Sequence, residues 1–356
     1  MSGLRESEMT GRQSRTTAYG AWALVAVLAL GVIVPGTAMA AVTLKIATLA
    51  TDGTSWMKRL RAGAQEITDR THGRVAFRFY PGGVMGSDKS VRRKIRVGQL
   101  QGGMMTGGIL FDVYPDSQLY SMPLVFRNYA DVDFVRRHMD KTIMAGVQKG
   151  GLVTFGIAEG GFAYIMSKKP IRSIDDLRKT KVWVPEGDVI TRTMFETAGV
   201  TATPLPLGDV YTALQTGLVD TVGTSPVGAI ALQWYTQVKY VTDVPLMYIF
   251  GVLAVDKKAF DRINPADQKI VREVMEHVFA EINKETREQN HQAMQALHKQ
   301  GLKFVTLAPS EMAKLHKVVD KARAKLGKMG YFTPKMYARM EHFLQESHRQ
   351  QAMAAR

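Results

Sequence analysis

Residues 42–80 read VTLKIATLATDGTSWMKRLRAGAQEITDRTHGRVAFRFY, and the order of their hydrophobic periods decides the fold. Val42–Leu49 alternates apolar and polar positions as a half-buried strand does. Thr51-Asp52-Gly53-Thr54 is turn chemistry, and the apolar residues of Trp56–Thr68 recur at helical spacing. After His72-Gly73 the period returns to two over Arg74–Tyr80 and stops at Pro81-Gly82-Gly83. Asp88–Val97 then reads as a second helix closing at Gly98. Consecutive strands separated by a helix pair in parallel, because a crossover of that length is what parallel pairing requires. This β-α-β-α order therefore predicts a doubly wound α/β sheet.

Downstream, Met104–Thr106 and Leu119-Tyr120 precede an amphipathic helix over Tyr129–Met139 and a buried strand over Val153–Ile157. A second, smaller α/β set opens near Ala163-Tyr164-Ile165-Met166. It continues through a helix start at Ser173–Leu177, a strand over Lys181–Val184, helices over Val189–Ala198 and Asp209–Thr216, and a loop Gly223-Thr224-Ser225-Pro226. Val252–Val255 reads as a returning strand. Pro265–Gln300, nearly free of Gly and Pro, reads as one long helix, and Pro309–Leu326 and Pro334–Gln351 are two more. At roughly 100–200 residues per domain, 356 residues accommodate two domains.

Upstream, Arg5, Arg12 and Arg15 precede the apolar run Ala21–Val34 and the small residues Ala38-Met39-Ala40, the order of a cleaved export signal ending at Ala40. A membrane span needs about 20 apolar residues, more than this run supplies. The mature chain keeps 44 basic against 30 acidic residues. Basic and aromatic residues do not interleave as a nucleic-acid platform requires, and no nucleic-acid partner is expected. Cysteine is absent, which excludes disulfides, thiolate metal sites and a cysteine nucleophile.

Enzyme motifs fail on inspection. Gly223-Thr224-Ser225-Pro226-Val227 starts as a nucleophile elbow, but Pro226 and Val227 remove the N–H and the small residue it needs. Gly86-Ser87-Asp88-Lys89-Ser90 lacks the Gly-Lys pair of a phosphate loop, and no histidine pair has zinc spacing. No catalytic residue, metal or cofactor is expected.

Seven stretches in order resemble the solute receptors of tripartite ATP-independent periplasmic (TRAP) transporters. They are Thr71–Val75 with Phe79–Gly86, Met122–Phe126, Lys169–Arg178, Lys181–Pro185, Gly199–Pro206, Asp209–Gly217 and Val219-Asp220. The resemblance, over residues 42–345, implies a two-lobed periplasmic binding protein fold: two doubly wound sheets joined by crossing strands, with a long helix spanning both lobes. It places residues 41–160 and 249–288 in lobe I and residues 161–248 and 289–345 in lobe II, with 346–356 as a tail. It implies a periplasmic receptor, not an enzyme, that captures a small organic ligand between its lobes. Delivery would be to the membrane permease of an ion-gradient-driven transporter, with a helical-repeat periplasmic protein as a further partner.

The departures bear on the ligand. Where the family carries carboxylate-clamping arginines, this sequence has Ala163 and Trp183. A buried carboxylate without its cation costs several kcal/mol. The residues expected to line the cleft are accordingly apolar and aromatic: Trp56, Met105, Phe162, Tyr164, Trp183, Trp234 and Tyr248, with Thr224 or Ser225 fixing a polar end. An apolar or amphipathic ligand is the leading expectation. The alternative is a small organic acid held by a relocated cation such as Lys89 or Arg92.

Overall fold

The computed structural model describes residues 41–354, so the export signal read over residues 1–40 lies outside the described residues. β1 (Val42–Thr48), α1 (Ser55–Arg70), β2 (Val75–Tyr80), α2 (Asp88–Arg96) and β3 (Gly102–Thr106) follow the reading above to within a few residues. The Thr54 hydroxyl accepts the Met57 N–H to start α1, a side-chain cap for one of the unpaired donors at a helix N-terminus. After two short 3-10 turns comes α3 (Tyr129–Lys149), capped by Asn128 and ten residues longer than its amphipathic stretch predicts.

β4 spans Leu152–Ser167 without a break. Sequence reading divides it into Val153–Ile157 and a separate start at Ala163, because Gly156, Gly160 and Gly161 interrupt its pattern. In the structure these glycines sit where the strand shifts register against its neighbour instead of ending. Gly161 has φ +91°, and an added Cβ would lie 2.5 Å from Asn290 Nδ2, so only glycine fits.

α4 (Ile174–Arg178), β5 (Val182–Pro185), α5 (Val189–Thr197), β6 (Ala202–Leu205) and α6 (Val210–Thr216) complete much of the second half. The stretch read as a loop at 223–226 is the end of β7 (Thr221–Thr224) and the start of α7 (Pro226–Ala231). Pro226 at the first helical position and Ser225 as its cap make that junction. β8 (Tyr240–Asp256) is a 17-residue strand, of which the sequence showed only the last residues. α8 (Lys257–Phe260), α9 (Pro265–Lys299), β9 (Lys303–Val305), α10 (Pro309–Lys328) and α11 (Pro334–Ala354) close the chain. α11 continues through most of the stretch read as a tail, because Ser347, inside it, is buried and bonded to Asp131 of α3 at 3.1 Å.

The strand order is β2-β1-β3-β8-β4-β7-β5-β6, with β9 beside β8. β1 pairs in parallel with β2 and β3, and β5 with β6 and β7, so each half is wound as expected. The antiparallel β4–β8 pair lies between the halves and hydrogen-bonds both into one continuous ladder. α9 serves both halves. Val271, Met275, Val278 and Ile282 pack with Leu44, Leu60 and Phe155 in the first core, while Leu297 packs with Trp183 and Val222 in another.

Arg74, just before β2, donates to both carboxylate oxygens of buried Asp267 in the first turn of α9, at 2.8 and 2.9 Å. These bonds hold the Asp267 carboxyl below the usual aspartate range. The native state thus binds this proton more weakly than the unfolded chain. The pair's stabilisation is complete above the unfolded value of about 4 and is lost as pH falls through the lower native value. Asp267→Asn should lower stability at neutral pH by about 1–3 kcal/mol in urea unfolding and make the acid limb shallower.

Candidate functional site

In each half the winding reverses once. β1 lies between β2 and β3 although β3 follows β2 in sequence, and β5 lies between β6 and β7 although β7 follows β6. Loops leave such switch points in opposite directions and open a crevice at the C-terminal ends of the strands. In the first half that crevice is a hollow lined by Thr48, Leu49, Met85, Asp88, Val91 and Met104. In the second half the corresponding strand ends carry Trp183–Pro185 and Thr224-Ser225.

β4 and β8, the strands between the two switch points, contribute to an aromatic and apolar core. Met105 from the end of β3, Phe162 from β4, Tyr248 from β8 and Ile190 from α5 are buried members of this one large core, against which Met85, Tyr129, Val189 and Met247 pack. Phe162 and Tyr248 are register partners across the β4–β8 ladder, their rings edge to face at 5.8 Å, and Tyr129 meets Phe162 at 5.1 Å. Such geometry suits the ring quadrupoles, and each pair is worth about 0.5–1.5 kcal/mol beyond burial. Tyr164, two residues along the same face of β4, is half-buried and packs both here and on the neighbouring core. Its register partner is Thr224.

Trp183 and Trp234 belong to that neighbouring core, edge to face at 5.1 Å, with the Trp183 indole N–H donating to the Leu205 carbonyl at 3.0 Å. Both are buried within the protein. Thr224 and Ser225 are also buried, and the Ser225 hydroxyl accepts the Gly228 N–H at 3.3 Å. Trp56 stands apart. It packs at the edge of the first core on α1 and donates its indole N–H to Thr286 of α9 at 3.0 Å. The structure thus brings Phe162 and Tyr248 into contact, pairs Tyr164 with Thr224 beside the core that holds Trp183 and Trp234, sets Met105 four residues along β8 from Tyr248 in the same large core, and leaves Trp56 elsewhere.

Two aspartates at the crevice were missed by the sequence reading of ligand contacts. Asp88 accepts the Thr106 N–H and hydroxyl at 3.0 and 2.7 Å, and Asp188 accepts those of Thr191 at 3.0 and 2.6 Å. Burial pushes both carboxyls up, opposed by these hydrogen bonds. The available signal was Asp188 three residues before Thr191, a helix-cap spacing. Of the two cations considered for relocation, Arg92 is paired with Asp112, whereas Lys89 is exposed with no carboxylate in ion-pair range among the described residues.

A second group escaped sequence reading entirely. Glu159, 1% exposed on β4 between the register shifts, bonds Arg136 of α3 at 2.8 Å and Arg287 of α9 at 2.7 Å. Arg136 also holds Asp140 at 3.0 Å and reaches the Tyr248 hydroxyl at 3.4 Å, and Arg287 holds Asp133 at 2.9 Å. Asn283 accepts the Glu159 N–H and donates to the Ile157 carbonyl, both at 2.8 Å. This network fixes the strands that carry Phe162 and Tyr248. Among the described residues no group of His, Asp and Glu is arranged to hold a metal ion.

Residues 46–328 match the family described as bacterial extracellular solute-binding protein, family 7, DctP. The chain is 25% identical over 229 residues to a solute-binding protein of Chromohalobacter salexigens, covering 63% of this chain and 67% of that protein. It is 25% identical over 266 residues to the C4-dicarboxylate-binding periplasmic protein DctP of Rhodobacter capsulatus, covering 72% of this chain and 78% of that one. Among solved structures, a TRAP periplasmic solute-binding protein from Desulfovibrio salexigens, with bound orotic acid, superimposes with a TM-score of 0.78 at 19% identity. That match covers 86% of this chain and 99% of the other.

Replacing Glu159 by Gln removes the countercharge from two arginines while keeping the side chain's size. Glu159→Gln should cost about 3–5 kcal/mol in urea unfolding, as breaking a buried ion pair from one side does. An unchanged midpoint would mean that Asp133 and Asp140 alone satisfy the arginines.

Proposed function

Because the chain belongs to family 7 of the bacterial extracellular solute-binding proteins, the DctP family, we propose that it is a periplasmic receptor for a small organic acid with an apolar body. It closes on this ligand between its two halves and hands it to an ion-gradient-driven TRAP permease. The observation that carries the reading is that Phe162, Tyr164 and Tyr248 stand on β4 and β8, the two strands that lie between the switch points in the sheet. A solute enclosed there touches both halves at once, the condition for a ligand to favour the closed state over the open one. Support for an acid comes from the relatives: one is named for C4-dicarboxylates, and a structural neighbour holds orotic acid.

The halves correspond to lobes meeting at Gly160-Gly161 of β4 and Tyr248-Ile249 of β8, with α9 crossing from one to the other. The glycines and register shifts at this level of β4 support that placement. Ala163 and Trp183 supply no cation, so the acid's charge falls to the first lobe, with Lys89 the candidate. The apolar walls hold the rest of the molecule, at about 25 cal/mol per Å² of apolar surface removed from water.

A second reading, a neutral apolar ligand, is favoured by the Trp183–Trp234 pair standing where a charged clamp would be expected. Mass spectrometry of the molecules released on denaturing protein taken from its native periplasm separates the two. A stoichiometric organic acid is the expected result. A stoichiometric neutral compound would overturn the acid and leave the receptor, and an empty protein at saturating copy number would count against capture itself.

With the released compound in hand, Tyr164→Ala should weaken binding by at least about 2 kcal/mol in titration calorimetry, as loss of a central aromatic anchor does. Lys89→Gln should raise Kd about ten-fold for an acid and leave it unchanged for a neutral ligand.

A further inference from the structure

α10 carries five lysines on a single face. Lys314, Lys317, Lys321, Lys325 and Lys328 are spaced three, four, four and three apart, and all five are exposed. At 100° per residue they fall within an arc of about 80° along about 21 Å of helix. Glu311 pairs with Lys314 at 2.7 Å, and Glu196 of α5 pairs with Lys325 at 3.7 Å. Lys317, Lys321 and Lys328 have no carboxylate in ion-pair range among the described residues. The opposite face of the helix is committed to the core through Val319, Ala322 and Leu326.

The composition of this ridge distinguishes its possible partners. Protein interfaces are anchored by buried aromatic residues, arginine and apolar centres, and are depleted in lysine. The ridge has none of those anchors within its arc. A run of four to eight basic residues is instead the pattern that anionic lipid head groups attract. Lysine suits that role, because its mobile point charge needs no fixed partner geometry. The excess of 44 basic over 30 acidic residues in the mature chain adds attraction to an anionic surface within a Debye length, about 8–10 Å.

We propose that the lysine ridge of α10 docks this protein on the anionic phospholipid surface of the membrane. The inference is independent of the ligand assignment, since all five lysines are exposed on α10 and none belongs to β4 or β8.

The test is co-sedimentation of the mature chain with vesicles of equimolar phosphatidylglycerol and phosphatidylcholine, and with phosphatidylcholine alone. Binding to the first and not the second is expected, weakening at least about ten-fold from low to physiological salt. The triple variant Lys317→Gln, Lys321→Gln, Lys328→Gln should bind at least about ten-fold more weakly. The charge-matched triple Lys58→Gln, Lys284→Gln, Lys299→Gln, at exposed positions on α1 and α9, should stay within about two-fold of the parent. Equal losses in the two triples would overturn the proposal in favour of diffuse net charge. Absence of binding to the anionic vesicles would overturn it too. Binding only to vesicles that contain the permease would also overturn it, in favour of an acidic protein partner. Vesicle-dependent hydrogen-exchange protection of the wild-type α10 side facing out reads the same contact without any variant, and its absence would count against the ridge.

Discussion

The structure turns on one buried carboxylate. Glu159 lies inside a strand shared by both halves, where burial of an unpaired charge would be prohibitive, and it is tolerated because arginines from α3 and α9 meet it from two elements. Those arginines in turn hold Asp140 and Asp133, and Asn283 completes the backbone pairing where β4 shifts register. Everything between the halves takes its position from this point. Phe162 begins three residues on, Tyr248 opposes it across the ladder, and Tyr129 carries Arg287 over its ring at 4.5 Å. A charged network set among the register shifts of the ladder gives an irregular stretch of backbone a unique arrangement of side chains.

How much of this was legible in the sequence follows from the range of each interaction. Elements stopped by glycine or proline, such as α2 at Gly98 and α6 at Gly217, could be read because period and stop signal are local. β4 and β8 were read in fragments. Three glycines in one and Pro245 in the other interrupt the alternation, and only the partner strand shows that pairing continues. The site divided along the same line. That aromatic residues cluster near 162–164 and 248 was visible from their type. That Trp56 is committed to Thr286, 230 residues away, was not, and neither was the Glu159 network, whose arginines stand 23 and 128 positions distant.

Charge is distributed in the molecule by function of place. Inside, each buried acid among the described residues has an assigned donor: Asp267 has Arg74, Asp131 has Arg127 and Gln351, Glu159 has its two arginines, and Asp116 has the Thr333 N–H and hydroxyl. At the crevice, Asp88 and Asp188 are satisfied by threonine hydroxyls and backbone N–H groups, so the walls can remain largely apolar without stranded charge. The excess of positive charge is displaced to exposed helix faces, where water and salt moderate it.

The long helix α9 also bears on how such a sequence can change over evolutionary time. Val271–Ile282 is keyed to one core and Leu297 to another, and Asn290 between them bonds the Gly160 carbonyl and the Val227 N–H. One residue inserted between Ile282 and Leu297 would turn the distal part by about 100° and advance it by about 1.5 Å, presenting a polar side to the second core. Drift in this helix is therefore confined to substitutions. Changes of length must accumulate in the loops, so this segment acts as a fixed ruler against which the rest of the chain diverges.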